Sequence, residues 1–326
     1  MVAAGHASVS ELGEFALVDA ITSVFELTDQ VLIGPGDDAA SVRVPTGAVL
    51  ASTDVLVEGR HFRRDWSSAE DVGHRAVAAN LADIAAMGGT ATALLIGLSM
   101  PGDTPVGWVL DLARGMRDEA AVVGATVVGG DLSAGDQIVV SVSVLGPAPA
   151  DPVRRDGARP GDVLALAGRI GWAAAGYAVL ARGFRSPRAV VDALRRPEPP
   201  YLAGPAAASA GASAMIDVSD GLLGDLGHLA KASGVVIDVD SGALDLPEPI
   251  ESVGSALGVQ PLGLVLTGGD DHALAATFPA DVPIPDGWRV IGHVTAPGNG
   301  TAQAESPSVT VDGVAYEGVT GHSHWR

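Results

Sequence analysis

Five times along this 326-residue chain an apolar, strand-like run closes on small residues and one or two aspartates. The five are GPGDDAA with Asp37 and Asp38, STD with Asp54, GGD with Asp131, DVSDG with Asp217 and Asp220, and GGDD with Asp270 and Asp271. Asp83, on a predicted helix, adds a sixth position. Glycine beside these aspartates removes side-chain bulk, so backbone amides can approach a phosphate, while short carboxylates offer the hard oxygen ligands that magnesium takes. Any one Asp-Gly dipeptide is an ordinary turn former, so the weight rests on recurrence. Asp54 ends an apolar run and Asp217 lies inside another, AMIDV, where an unpaired carboxylate is expensive to bury. If the aspartates converge, the pocket repels a triphosphate unless divalent ions sit between them.

The spacing of apolar residues predicts an α+β chain of two domains with mixed sheets, 1–150 and 151–326, because several strands follow one another without an intervening helix. In the first half the pattern predicts a helix over 11–27 with Ser8 and Glu11 as a capping box, and a glycine turn at 34–38. A strand over 48–57, a helix opened by Ser67 and Glu70 that stops at Gly88–Gly89, and a strand at 92–98 follow. A helix over 105–122 and strands at 125–129 and 137–145 complete this half. The segment GPAPADPVRRDGARPGD has the composition of a connection. The second half predicts strands at 162–167, 214–218, 235–239, 263–267, 272–278, 289–294 and 308–312. Helices are expected over 171–182 and 221–233, with another after the Pro-rich stretch at 197–205.

Composition narrows the function. Lys231 is the single lysine among 19 cationic residues, against 39 acidic ones, for a net charge of −20. No basic run can track a nucleic-acid backbone. Zero cysteines exclude disulfides, thiolate zinc sites, iron–sulfur clusters and a thiol nucleophile. No apolar stretch has the length of a membrane span, and the N-terminus lacks a signal-peptide layout, so the cytoplasm is the expected compartment. There is no GxxxxGK[ST] loop and no HRD/DFG pair, so neither the P-loop nor the protein-kinase way of holding ATP is available.

The blocks GPGDDAA, STDVLVEGRHF, AVAANLADIAAMGG, GGDLS, IDVSDGLLGDLGHLAKASG and LTGGDDHAL, in this order, resemble the thiamine-monophosphate kinase family. Its superfamily includes aminoimidazole ribonucleotide synthetase, selenophosphate synthetase and a hydrogenase-maturation protein. The resemblance implies that architecture, with the N-terminal sheet pairing across a homodimer. It also implies direct transfer of the ATP γ-phosphate to thiamine monophosphate, giving thiamine diphosphate with the help of several Mg2+ ions. No strong base is needed, because the acceptor is already an anion. Carried over motif by motif, Asp38, Ser52, Thr53, Asp54, Asp83, Asp131, Asp217 and Asp220 correspond to the metal-binding set, with Asp37 beside them. Gly130, Arg155 and Ser219 correspond to ATP contacts, Arg154 and Arg159 being within guanidinium reach of the same role as Arg155. His61, Asp270 and Trp325 correspond to substrate contacts, the indole by stacking on the substrate's rings.

One block departs from the family pattern: where GGEDYEL is usual, this chain has GGDDHAL, which puts the role of Asp270 in question. Zero cysteines argue against the selenophosphate and hydrogenase-maturation relatives. Aminoimidazole ribonucleotide synthetase stays open as an alternative, as do a metal-dependent phosphohydrolase and a non-catalytic nucleotide-binding scaffold.

Overall fold

The computed structural model describes residues 8–33, 41–45, 47–298 and 306–321. The chain divides into two compact units, one of Met1–Ile84 with Thr90–Pro149, the other of Ala85–Gly89 with Ala150–Arg326. Each is an α+β layer structure with a mixed sheet.

The first unit runs α1 (Val9–Leu12), α2 (Glu14–Thr22), β1 (Val31–Ile33), β2 (Ser41–Val42), β3 (Val49–Val57), α3 (Ala69–Ala86), β4 (Ala93–Met100), α4 (Val106–Val122), β5 (Thr126–Ala134) and β6 (Val139–Pro147). Its main sheet has the order β3-β6-β4-β5, parallel only between β4 and β5. Along β6, buried Val140, Val142 and Val144 alternate with partly exposed Ser141 and Ser143, the period-two signature of a sheet with one covered face. The other face presents Val49, Val55 and Leu95 to solvent.

Two helix starts are fixed by side-chain caps. The Ser8–Glu11 box forms as the spacing predicts, but the helix it opens is interrupted at Gly13, whose φ of +83° splits the expected 11–27 segment into α1 and α2. At α3 the reciprocal cap falls on Ser68 and Asp71 rather than on Ser67 and Glu70, each backbone N–H donating to the other's side chain. Helices α3 and α4 then meet backbone to backbone. A Cβ on Gly73 would lie 2.1 Å from the Leu112 carbonyl oxygen, and one on Gly115 would lie 2.1 Å from that of Glu70.

The second unit contains β7 (Val163–Ala167), α5 (Trp172–Ala181), α6 (Arg188–Arg195), α7 (Ala203–Ala210), β8 (Ala214–Val218), α8 (Leu222–Ser233), β9 (Val236–Val239), α9 (Glu248–Leu257), α10 (Pro261–Thr267), β10 (Ala273–Phe278), β11 (Trp288–Thr295), β12 (Ser308–Val311) and β13 (Val314–Ala315). The seven-stranded order is β13-β12-β9-β11-β7-β10-β8, parallel only between β9 and β12. Strands β8 and β10 are buried along their whole length and, apart from Asp217 and Thr277, are apolar. Phe278 packs edge-on against Trp288 at 5.6 Å in the core beneath them. The expected strand at 263–267 is helix α10 instead: Pro261 sits in its first turn, and Thr267 donates back to the Gly263 carbonyl. Helices α6 and α9 were not expected.

The reciprocal glycine contact makes the α3–α4 crossing intolerant of side chains. Gly73→Ala or Gly115→Ala should lower stability by about 1–3 kcal/mol, the usual range for overpacking a closed contact. Urea unfolding of the variants should show the transition moved to lower denaturant, whereas an unchanged midpoint would mean that the helices can separate freely.

Candidate active site

In the first unit, β3 alternates so that Ser52 and Asp54 share the covered face with Val144 and Val142, their partners on β6. Ser52 Oγ donates to Asp83 Oδ2 at 2.6 Å, which ties the strand's hydroxyl to the carboxylate carried by α3. Thr53 points the opposite way: its hydroxyl donates to the Val142 carbonyl at 3.0 Å and accepts from Ser143 Oγ at 3.1 Å. Asp54 and Asp131, expected at the ends of strand-like runs, both lie within strands: β3 continues to Val57 and β5 to Ala134. By register Gly130 shares the face of Asp54, through Val142 and Ile96, and Asp131 falls on the other face, paired with Gly97.

His61 sits in the turn after β3, where its Nδ1 accepts the Val57 N–H at 2.9 Å. That bond fixes the tautomer and leaves the proton on Nε2. Against the covered face of β4 and β5, an apolar cavity of about 240 Å³ is lined by Ile21, Phe25, Val109, Leu112 and Met116, with Gly130 and Asp131 at its edge.

In the second unit, Asp217 is the penultimate residue of β8 and is buried. His272 Nδ1 lies 3.4 Å from its Oδ2. Ser219 and Asp220 follow in the loop before α8, and residues 268–272 form the facing loop before β10. The two loops are joined through their backbones: the Asp270 N–H donates to the Ser219 carbonyl at 2.8 Å and the His272 N–H to that of Val218 at 3.1 Å. Gly269 is required there, because a Cβ would lie 2.2 Å from the Ser219 oxygen. Asp270 and His272 both adopt left-handed backbone, with φ of 70° and 53°, an uncommon state for residues with side chains that this double attachment holds.

Two aspartates the sequence reading did not assign prove to be the most perturbed acids of this region. Asp271 is 3% exposed; its Oδ1 accepts the Ala173 N–H at 3.0 Å, capping α5, whose own N-cap Gly171 has no side chain to do so, and its buried Oδ2 has no hydrogen-bond partner among the described residues. Burial pushes it up to about 7, against the pull of the Ala173 N–H and the Arg169 charge. Asp225 in α8 is likewise raised to about 7, by burial first and then by the neighbouring Asp217 carboxylate. The second aspartate of GGDD and the DGLLGD spacing were the available signals. Arg155 is exposed, with its carbonyl held by Ser233 Oγ at 2.8 Å. Asp37, Asp38 and Trp325 lie outside the described residues.

Among the described residues no group of three acidic or histidine side chains forms a ready-made cage for a metal. The carboxylates are nonetheless of the right kind for a hard cation: they are short, partly buried, and crowded enough that Asp217 and Asp220 both oppose ionisation of Asp225. An ion held by one or two carboxylates and completed by water and phosphate oxygens is the usual magnesium arrangement.

Residues 36–148 match the N-terminal domain of the AIR synthase related proteins and residues 159–305 their C-terminal domain. A thiamine-monophosphate kinase of Mycobacterium tuberculosis is 45% identical over 324 residues, covering 98% of this chain and 92% of that protein. The chain belongs to the thiamine-monophosphate kinase family. Among solved structures, thiamine monophosphate kinase from Aquifex aeolicus superposes with a TM-score of 0.76 at 32% identity, over 96% of this chain and all of that one. A second, described as AaThiL complexed with AMPPCP and TMP, gives 0.75 at 32% identity, over 97% and 99%. The fold is therefore the AIR synthase-like one, and the enzyme class that of the thiamine-phosphate kinases.

Because native Asp271 holds its proton far more tightly than an unfolded aspartate, the folded chain loses stability through this group as pH rises from about 4 towards 7. Asp271→Asn has no proton to lose. Its melting temperature relative to the native chain should therefore be more favourable at pH 8 than at pH 5.5 in calorimetric scans, and parallel pH profiles would refute the buried-carboxyl assignment.

Proposed function

We propose that this chain transfers the γ-phosphoryl group of ATP directly to the phosphate of thiamine monophosphate, forming thiamine diphosphate and ADP, with several Mg2+ ions, in the cytoplasm. The observation that carries the reading is the Asp217–Asp220 segment, which sets two carboxylates beside the Ser219 hydroxyl in a chain with one lysine. The related structure bound to AMPPCP, an ATP analogue, and TMP supports the same two ligands.

In the first unit Asp54 and Asp83 would be ion ligands, with Ser52 orienting Asp83 through its hydrogen bond; in the second unit Asp217 and Asp220 would be. Thr53 would contribute through its main chain, since its hydroxyl is engaged on the other face of the sheet. Asp38 completes the proposed set, while Asp131, turned by register to the face opposite Asp54, would be a ligand apart from it. When bound, the ions supply the positive charge that offsets the phosphates in the loose transition state of phosphoryl transfer. In the first unit Gly130 lines the apolar cavity with its backbone and would contact the nucleotide there; in the second unit Ser219 and Arg155 would be phosphate contacts. His61, protonated on Nε2, donates to the acceptor phosphate. Asp270 and Trp325 engage the thiamine rings. Asp270 is one methylene shorter than the family's usual glutamate, and its left-handed backbone brings the carboxylate in by a different path.

No residue need act as a base. The acceptor oxygen is already anionic, so the protein's work is to align donor and acceptor and to exclude water.

Incubation of the purified chain with ATP, Mg2+ and thiamine monophosphate should form thiamine diphosphate in step with ADP on chromatography. Free phosphate without it would instead mean hydrolysis. Asp54→Asn and Asp220→Asn should each reduce turnover by at least about 10²-fold while melting like the native chain, as expected for lost electrostatic stabilisation; near-native rates in both would overturn the metal assignment. The apolar residues on the open face of the first sheet, Val49, Val55 and Leu95, support pairing with a second copy. Light scattering at micromolar concentration should give twice the chain mass, and Val55→Glu with Leu95→Glu should return the monomer.

A further inference from the structure

We propose that Asp225 is the positioning residue that sets the Ser219–Asp220 loop, and through it the carboxylate of Asp220, by accepting both backbone N–H groups at the loop's end. The inference rests on the reading of Asp217 and Asp220 as the ion-holding pair and adds a residue that does not itself meet the ion. Asp225 Oδ2 accepts from Asp220 N at 3.0 Å and from Gly221 N at 3.1 Å, while its own N–H donates to the Gly221 carbonyl at 3.0 Å. The result is a closed ring between loop and helix, built around a side chain that is 4% exposed.

Among the described residues nothing else caps this end of α8: its N-cap is Gly221, with no side-chain bond of its own. Gly221 is also pressed against α10, since a Cβ there would lie 2.5 Å from the Thr267 carbonyl oxygen. The opposite side of the loop is held by the Asp270 N–H on the Ser219 carbonyl. The loop is thus gripped from two sides, and Asp225 is the grip that acts next to Asp220.

A carboxylate is an electrostatically poor choice beside Asp217 and Asp220, and a leucine would fill the same buried space more cheaply. What a leucine lacks is an oxygen able to accept two N–H groups at once. An amide oxygen can do so, which separates geometry from charge.

The test uses the full chain and AMPPCP, titrated calorimetrically at several Mg2+ concentrations, together with hydrogen exchange at Asp220 and Gly221. Asp225→Ala should weaken magnesium-dependent binding by at least about tenfold, the scale of two buried donors left unpaired, and speed exchange of those two amides. Asp225→Asn should restore both to within about threefold of the native values, the amide oxygen replacing Oδ2. Native-like binding by the alanine variant, or equal weakening in alanine and asparagine variants, would overturn the proposal. If the alanine variant does not fold, Asp225→Glu carries the same test: it keeps the charge but displaces the acceptor by a methylene, so weakened binding and faster exchange are expected and native behaviour would refute it. Failure of the native chain itself to bind AMPPCP with Mg2+ would count against the kinase reading, while exchange at the two amides would still decide the role of Asp225.

Discussion

Like charge, brought together at one end of the seven-stranded sheet, is the constraint to which the second unit answers. Asp217, Asp220, Asp225, Asp270 and Asp271 fall in or next to two short loops. Left to themselves they would push those loops apart. The structure gives them separate tasks instead. Asp271 turns inward to cap α5, Asp225 turns back on its own loop, His272 faces Asp217, and backbone bonds between the loops carry the load that the charges oppose. Two of the five are raised to about 7, so part of the repulsion is relieved by protons. The carboxylates proposed for a cation, Asp217 and Asp220, are carried by a buried strand and by a loop whose N–H is held by Asp225.

Close backbone approach is the second device, and it depends on the same glycines that mark the sequence. Gly269 lets one loop touch the Ser219 carbonyl, and Gly73 with Gly115 lets α3 and α4 touch directly. In the first unit this matters because α3 carries Asp83, whose Oδ2 receives the Ser52 hydroxyl from β3. A strand, a helix and a helix crossing therefore fix a single hydrogen bond between two proposed ligands. A phosphoryl-transfer site that relies on alignment needs that order of rigidity.

Much of this was legible in the residues. The Ser8–Glu11 cap, the termination of α3 near Gly88 and the strand–loop–helix around DVSDG all follow from local rules that tertiary contacts do not override. Residues 263–267 did not: a five-residue apolar run has no periodicity to separate strand from helix, and Pro261 in the first turn was the decisive signal. The expected 11–27 helix is split because periodicity cannot see a single positive-φ residue at Gly13, and it ends at Thr22 rather than at 27. In the site, residue identity pointed to Asp54 and Asp83 but not to the alternation that turns Thr53 and Asp131 to the other face, which depends on register and on β5 running through GGD. Asp225 and Asp271 escaped because their roles are hydrogen bonds to backbone, which leave almost no trace in composition.

The absence of lysine from the whole constellation shapes the chemistry proposed for it. A lysine on a phosphate is a charge supplied by the protein, present before and after the nucleotide arrives. In this chain the field around the loops is negative, with a net charge of −20 behind it, and would oppose the approach of a bare polyphosphate. Beyond what Arg155 would supply, positive charge would then have to arrive with the nucleotide, as divalent ions. Ion and nucleotide affinity are linked by necessity in such a site, each raising the other by the same factor. Much of the protein's contribution is then the placement of oxygen atoms, which the hydrogen bonds within and between the short loops serve.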